Sequence, residues 1–429
     1  MRIGYKAVFT IFLLSSLMVS AFLMVNTELP PWSHYVSGAG IVLFSVPAAL
    51  ASLRWLGRRN TFLLFLMLGI FALAIETFAI FSGIPYGSFT YSDFLGYKLF
   101  GTTPWTIVIA WTPLILAAYA VARIIFAGVA ARIVLTAILL VTFDMVLDPG
   151  AVYFRFWTFE TRGWFYGVPW SNFAGWVVSG IIGAVILEIF LKSKKPLLPV
   201  PVQLMESAFL TIFFWTCIAL FAGLLLPALI GGLLMIVLGV VYFRNYYAFD
   251  DMIVLADESA APIGTARKLP SHTNDTPLHL AFSVFLINKN GELLLQRRAL
   301  EKKTWGGVWS NTCCGHQMLH EDVKSAAKRR LKYELGIKGV ELEVILPDFR
   351  YRAEKDGIVE NEICPVLAGT FEGEPKINKR EVSETKWIKW EKFLAECNSP
   401  DSVFSPWAIE EANLLANNPR FNELLNLKT

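Results

Sequence analysis

Residues 315–337 read GHQMLHEDVKSAAKRRLKYELGI, and the reading of this stretch decides the fold of the C-terminal half. Its second part, 321–337, predicts a helix that stops at Gly336. Ala326, Leu331 and Leu335 fall on one face of that helix. Fixed spacings run through it: Gly315, Glu321, Arg329, Leu331, Glu334, Gly336 and Ile337. Upstream, LAFSVFLIN (280–288) reads as an apolar strand, KNGE (289–292) as a turn around Asn-Gly, and LLLQRR (293–298) as the returning strand. Strand, turn, strand and helix predict a soluble α/β unit.

Working toward the N-terminus, the solvent changes. Of the 73 Asp, Glu, Lys and Arg residues, 22 lie in residues 1–246 and 51 in the remaining 183. Apolar runs near 7–25, 36–53, 61–82, 104–122, 130–147, 172–191, 206–224 and 228–243 each approach the roughly 20 residues that cross a bilayer. The first could instead be a signal peptide, but no small-residue cleavage site follows it. The expectation is an all-α polytopic membrane domain of about eight helices over 1–246, then a soluble domain over 247–429. With eight spans, Arg2, Lys6, Arg54, Arg58, Arg59, Arg123, Arg132, Lys192, Lys194, Lys195 and Arg244 share one side, with Arg155 and Arg162 as exceptions. The positive-inside rule makes that side cytoplasmic, with both termini and the soluble domain. A net charge of +3 is too small to suggest a nucleic-acid partner. Five scattered cysteines make no disulfide framework.

The stretch SNTCCGH (310–316) carries chemistry. A bridge between adjacent Cys313 and Cys314 is disfavoured by disulfide geometry, which leaves a metal site or a nucleophile. The Gly315–Ile337 spacing resembles the Nudix box, with Arg330 and Tyr333 where hydrolases of that superfamily carry glutamates. Diphosphate cleavage is therefore expected to be poor. HTNDTPLHLAFSVFL, LLLQRRALEKKTWGGVWSNTCCGH, KRRLKYELGI, PDFRYRA, GIVENEICPV and FSPW follow in order. Together they resemble type 1 isopentenyl-diphosphate Δ-isomerase over about residues 250–429. Gly306 stands where that family commonly has proline.

The resemblance implies interconversion of isopentenyl and dimethylallyl diphosphate by a 1,3-proton shift through a tertiary carbocation. It implies Cys314 and Glu362 as the catalytic pair, Tyr351 as an aid to protonation, and Trp407 as a π face toward the cation. It implies a metal site of His272, His279, His316, Glu360 and Glu362, for Mg2+, Mn2+ or Zn2+. Glu334 is then the position for Mg2+ at the diphosphate, and Lys268, Arg298, Lys302 and Arg330 hold its oxygens. Taken alone, a buried cysteine is most often an apolar filler and Trp407 most often core. Cys313 is expected to be structural, and Cys217, Cys364 and Cys397 inert.

The N-terminal half has aromatic, glycine-rich loops in IETFAIFSGIPYGSFTYSDFLG (75–96) and TFDMVLDPGAVYFRFWTFETRGWFYGVPWSNFAGW (142–176). These resemble the integral-membrane carotenoid biosynthesis family that includes bisanhydrobacterioruberin hydratase and carotenoid 1',2'-hydratases. The resemblance implies addition of water to a terminal double bond of a carotenoid. The proton would come from Glu76, Asp144 or Asp148, since ionisable groups at membrane depth are costly. The plainer alternatives are helix–helix hydrogen bonding for Glu76 and Asp144, a turn at Asp148-Pro149-Gly150, and a loop contact for Asn172. Trp111, Trp157, Trp164, Tyr166 and Trp176 line an apolar slot or form an interfacial belt. For the whole chain the first reading is a two-enzyme fusion, with lipid around its first half. A carotenoid cyclase or an inert anchor in the membrane, or a Nudix hydrolase behind it, are the competing readings.

Overall fold

The computed structural model describes residues 5–30, 32–246 and 251–425. Contacts divide the chain into two compact units, Met1–Tyr247 and Ala248–Thr429. The expected boundary at 246/247 and the cation Arg2 touch positions outside the described residues, as does the side chain of Lys6.

The first unit holds α1 (Tyr5–Asn26), α2 (Ser33–Ser82), β1 (Phe89–Tyr91), β2 (Lys98–Leu99), β3 (Thr103–Pro104) and α3 (Ile107–Ile125). It continues with α4 (Val129–Tyr153), β4 (Trp157–Phe159), α5 (Trp170–Lys194), α6 (Met205–Phe221) and α7 (Leu225–Asn245). Among the described residues, seven helices are long and apolar enough to cross a membrane. One of them, α2, has 50 residues and breaks at Gly57, where φ is 74° and ψ 169°. A residue without Cβ takes that conformation at little cost. The break separates the runs 36–53 and 61–82, so the eight apolar runs correspond to eight helical segments.

One expectation changes here. Asp148 does not make a turn: α4 continues through Pro149 to Tyr153, and Asp148 is a buried helical residue. Pro149 costs the helix one bond, the one a backbone N–H there would give to the carbonyl four residues back. Bare Gly150 lets the Trp215 ring of α6 lie against the helix, since an added Cβ would come within 2.8 Å of it. Arg132, one of the cations placed on the shared side, lies near the start of α4. It is buried in α4, and its Nε and Nη2 donate to Glu188 of α5 at 2.5 and 2.9 Å. A buried ion pair of this kind must be well bonded to offset its desolvation.

β1 and β4 form an antiparallel ribbon with Phe89 opposite Phe159, Thr90 opposite Thr158 and Tyr91 opposite Trp157. The two-residue period of a strand puts the aromatics on one face and the threonines on the other.

The second unit begins with β5 (Met252–Ala256), β6 (Pro262–Arg267), α8 (Lys268–Ser271), β7 (His279–Ile287), β8 (Glu292–Arg298), β9 (Trp309–Ser310) and β10 (Cys313–His316). It goes on with α9 (Val323–Leu335), β11 (Leu342–Leu346), β12 (Arg350–Lys355), β13 (Ile358–Ile363), β14 (Val366–Thr370), β15 (Val382–Lys389), α10 (Trp390–Cys397), α11 (Pro406–Ala416) and α12 (Pro419–Leu425). β7 is the central strand. It pairs antiparallel with β10 and parallel with β13 and β14. Its residues alternate between two cores, Phe282, Val284 and Leu286 in one, Ala281, Phe285 and Ile287 in the other. Burial on both faces explains the unbroken apolar run.

The hairpin expected from 280–298 is only half right. β7 and β8 pair at Ile287–Leu293 and then part, with β8 running along β15. β10 takes the place beside β7 that a returning strand would fill. α9 starts two residues later than expected. Asp322 is its N-cap, accepting from the Ser325 amide at 3.0 Å, and Gly336 ends it at φ 68°.

Candidate active sites

The sheet register assembles the histidine–glutamate group. His279 opens β7 opposite Glu362 of parallel β13. Glu360 lies two residues before Glu362 and so shares its face. His316 ends β10 opposite Ala281, and His272 follows α8. One ligand atom from each of His272, His279, His316, Glu360 and Glu362 lies within 4.8 Å of the others. The imidazoles are set for ligation. His272 Nδ1 lies 2.6 Å from the Lys268 carbonyl and His279 Nδ1 2.8 Å from that of Pro277. With Nδ1–H donated outward, each Nε2 lone pair points inward. Those Nε2 atoms and Glu360 Oε2 are buried without a hydrogen bond. Yet His272 Nε2 is 3.0 Å from Glu360 Oε2, and His279 Nε2 is 3.4 Å from Glu362 Oε1. Lone pairs facing carboxylate oxygens at this range need a cation between them, so the donor set fits a metal ion. Burial and Lys268 hold His316 well below its usual value, in the neutral form a ligand needs.

Beside this group is a second, drier one. Adjacent residues of β10 point to opposite faces. Cys313 is fully buried beside Phe282 and Leu331, whereas Cys314 packs toward the core that holds Tyr351 and Trp407. The Cys314 thiol donates to Asn311 Oδ1 at 2.9 Å, and Ser283 Oγ lies 3.5 Å from Sγ. Burial and the neighbouring Glu411 push this thiol up to about 12. The Tyr351 hydroxyl donates to Glu362 Oε2 at 2.8 Å. The Trp407 ring is 5.3 Å from Tyr351 and 5.1 Å from Trp305, centroid to centroid. A thiol and a tyrosine–carboxylate pair thus share one aromatic-walled region.

A third group is cationic. Lys268 is pushed down to about 8 by burial and by the charges of Arg330, Lys302 and Arg298. Lys268 thus sits in the field of three other cations, a setting that suits an anion. Glu381 and Glu334 partly neutralise them. Lys302 pairs with Glu381, Arg330 with Glu334, and Arg330 Nη2 also reaches Glu381 at 3.2 Å. The two altered box positions touch, with the Arg330 guanidinium 5.1 Å from the Tyr333 ring centre.

In the first unit, Glu76, Asp144 and Asp148 are all buried. The side chain of Asn172 bonds across to α4 rather than to a loop. Its Nδ2 donates to Asp144 Oδ2 at 2.8 Å and to Asp148 Oδ2 at 2.5 Å. Glu76 Oε2 accepts from the Tyr91 hydroxyl at 3.0 Å. Trp111 is buried, but Trp164 is 73 % exposed and Tyr166 38 %, so those two face outward rather than lining a slot.

Comparison with known proteins agrees with the second unit's geometry. An isopentenyl-diphosphate Delta-isomerase from Frankia alni is 45 % identical over 163 residues, 38 % of this chain and 84 % of the relative. The chain belongs to the isopentenyl-diphosphate Delta-isomerase family. The Paenarthrobacter aurescens isomerase is 48 % identical over 158 residues, 37 % of this chain and 86 % of its own length. An Escherichia coli isomerase is 43 % identical over 177 residues, 41 % and 97 % respectively. The NUDIX domain family matches residues 277–408, and a family described as carotenoid biosynthesis protein matches residues 36–238.

The isomerase half also holds polar residues that sequence reasoning missed. Asn311 and Ser283 touch the Cys314 thiol. Glu381 sits among the cations. Glu411 is fully buried with neither carboxyl oxygen hydrogen-bonded. One signal was available for Glu411: it lies four residues after Trp407, one helical turn on, and so shares its face.

Proposed function

We propose that the C-terminal half interconverts isopentenyl and dimethylallyl diphosphate. The observation that supports this best is that Cys314, the Glu362–Tyr351 pair and Trp407 meet in one buried, aromatic-walled cluster. Lys268, Arg298, Lys302 and Arg330 hold the diphosphate by charge-assisted bonds. One protic group adds a proton to the terminal carbon of the alkene, leaving the positive charge on the tertiary carbon. The other removes a proton from the carbon next to the diphosphate-bearing one. Cys314 and Glu362 exchange these roles with the direction of reaction. Trp407 and Tyr351 face the cation with π density and exclude water that would trap it. His272, His279, His316, Glu360 and Glu362 would hold a divalent ion, Mg2+, Mn2+ or Zn2+, which supplies charge that fixes the Glu362 carboxylate. Glu334 would meet a second ion, Mg2+, at the diphosphate. Arg330 and Tyr333 in place of box glutamates argue against diphosphate hydrolysis. The test is exchange between the two diphosphates by the full chain in detergent with Mg2+. Cys314→Ala should abolish it, and equal exchange by that variant would reject the reading.

For the N-terminal half we infer a membrane-embedded enzyme that hydrates a terminal double bond of a carotenoid, with both chain ends on the cytoplasmic side. Buried carboxyls favour this over an inert anchor, which needs none. Expression in cells that make an acyclic carotene should yield a product heavier by one water. A cyclised product of unchanged mass would replace hydration by cyclisation.

A further inference from the structure

Three buried carboxyls in an apolar helical unit need a reason. Glu76 comes from the later part of α2, and Asp144 and Asp148 lie one turn apart on α4. The polar groups that meet them are Tyr91 and Asn172, with the three acids acting on one another and on Tyr86. No Lys, Arg or His among the described residues is a partner to any of the three. A helix–helix contact would be made more cheaply by serine or asparagine, because buried anions without cations are strongly disfavoured.

The hydrogen bonds divide the acids into two kinds. Asn172 Nδ2 carries two hydrogens and gives one to each aspartate. Both Oδ2 atoms are thereby fixed, while Asp144 Oδ1 is left buried with no partner. Glu76 is held separately by the Tyr91 hydroxyl. The Tyr86 hydroxyl is a second, independent group of this kind. Tyr86 is 2 % exposed, its hydroxyl makes no hydrogen bond, and all three carboxyls act on it. The fold makes room for that ring, since a Cβ at Gly175 would come within 2.3 Å of Tyr86 Cδ1.

Next to these groups is an aromatic wall. Tyr86 and Phe89 are buried with Ala79, and Tyr91, Trp157, Phe159 and Trp176 pack against them. The Tyr91 and Trp157 rings are 5.7 Å apart and edge to face. The tyrosine that holds Glu76 is therefore itself part of the aromatic face of the β1–β4 ribbon.

We propose that Asp144, Glu76, Asn172, Tyr91 and Tyr86 form the active site of the membrane half, with Asp144 Oδ1 as the proton donor to a terminal alkene of a linear polyene and Glu76 as the base for water. This rests on the hydration reading above. Asp144 gives its proton to the terminal alkene carbon, and the π pair becomes the new C–H bond. The adjacent tertiary carbon carries the positive charge before the aromatic wall. Water, the co-reactant, forms the C–O bond and loses one proton to Glu76. That proton returns from Glu76 to Asp144, so the sum is alkene plus water giving a tertiary alcohol. Asn172 is a positioning residue that fixes the aspartate pair, and the Tyr86 hydroxyl orients the water.

The test uses the full chain, expressed in cells that accumulate an acyclic carotene and purified with its bound pigment. Asp144→Asn should retain the visible absorption of bound polyene yet lose at least about 100-fold in hydrated product, the usual contribution of a general acid. Asp144→Glu, which keeps the acid, should exceed Asp144→Asn by about tenfold or more. Asn172→Leu should lower turnover with polyene binding unchanged, and Asn172→Gln should recover part of it. If the wild type forms no hydrated product, the hydration reading fails. If the wild type hydrates and Asp144→Asn does so equally well, or Asp144→Glu is no better than Asp144→Asn, the assignment made here is overturned.

Discussion

Glu411 offers a sharp test of the electrostatics of the isomerase half. Its carboxyl is fully buried on α11, and neither oxygen is hydrogen-bonded. Burial raises it well above its ordinary 4.5, and the charge of Glu362 adds to this while the Ser283 hydroxyl opposes it. The folded unit therefore keeps the Glu411 proton over a range of pH where the unfolded chain has released it. Across that window the folded state binds more protons, so stability falls as pH rises. The slope is at most about 1.4 kcal/mol per pH unit for one proton. Between about pH 5 and about pH 7 the loss reaches at most about 2.7 kcal/mol. Glu411→Gln keeps the shape and cannot titrate. The assay is urea unfolding of the second compact unit, Ala248–Thr429, for both proteins across this range. The two should be similar near about pH 4, with the variant gaining progressively toward neutrality. Unfolding free energies that stay parallel across the range would refute the argument.

Asn311→Leu should lower isomerase kcat while leaving bound metal unchanged, because Asn311 holds the thiol and not the histidine group; equal kcat would remove it from the site. Asp322→Ala should cost about 1 kcal/mol of unfolding free energy through the lost N-cap of α9, read by urea titration. Chelation should lower the unfolding temperature of the second unit and added divalent ion should restore it, by about 2.7 kcal/mol at 100 times the dissociation constant; His272→Ala should blunt that response. No response in the unaltered protein would argue against a metal at the five ligands.

Much of the second unit was readable because its signals are local. Gly336 stops a helix and Asn290-Gly291 makes a turn in any context. Strand pairing was less readable. Nothing in LLLQRR tells that it leaves β7 after Ile287 for β15, a partner some ninety residues away in sequence. The histidine–glutamate group was visible by resemblance, whereas the Asn311 contact to Cys314 depends on how the residues before β10 bend. In the first unit Pro149-Gly150 looked like a helix end, but packing by Trp215 carries the helix through it. Asn172 suggested a loop contact for want of any local sign that two aspartates lay across from it. Outward-facing Trp164 and inward-facing Trp111 have equal hydropathy, and only packing separates them.

The pairing of Glu381 and Glu334 with Lys302 and Arg330 bears on how a polyanion enters the isomerase half. Two of the four cations are already engaged with carboxylates. On the proposed reading, a diphosphate meets a cradle in which Glu381 and Glu334 compete for guanidinium and ammonium donors. Entry on that reading is an exchange of anions, which would leave the displaced carboxylates to meet a counter-ion carried in with the diphosphate. The same reading predicts a cradle that discriminates by what accompanies the phosphate groups, favouring a metal-loaded diphosphate over a bare one of the same shape.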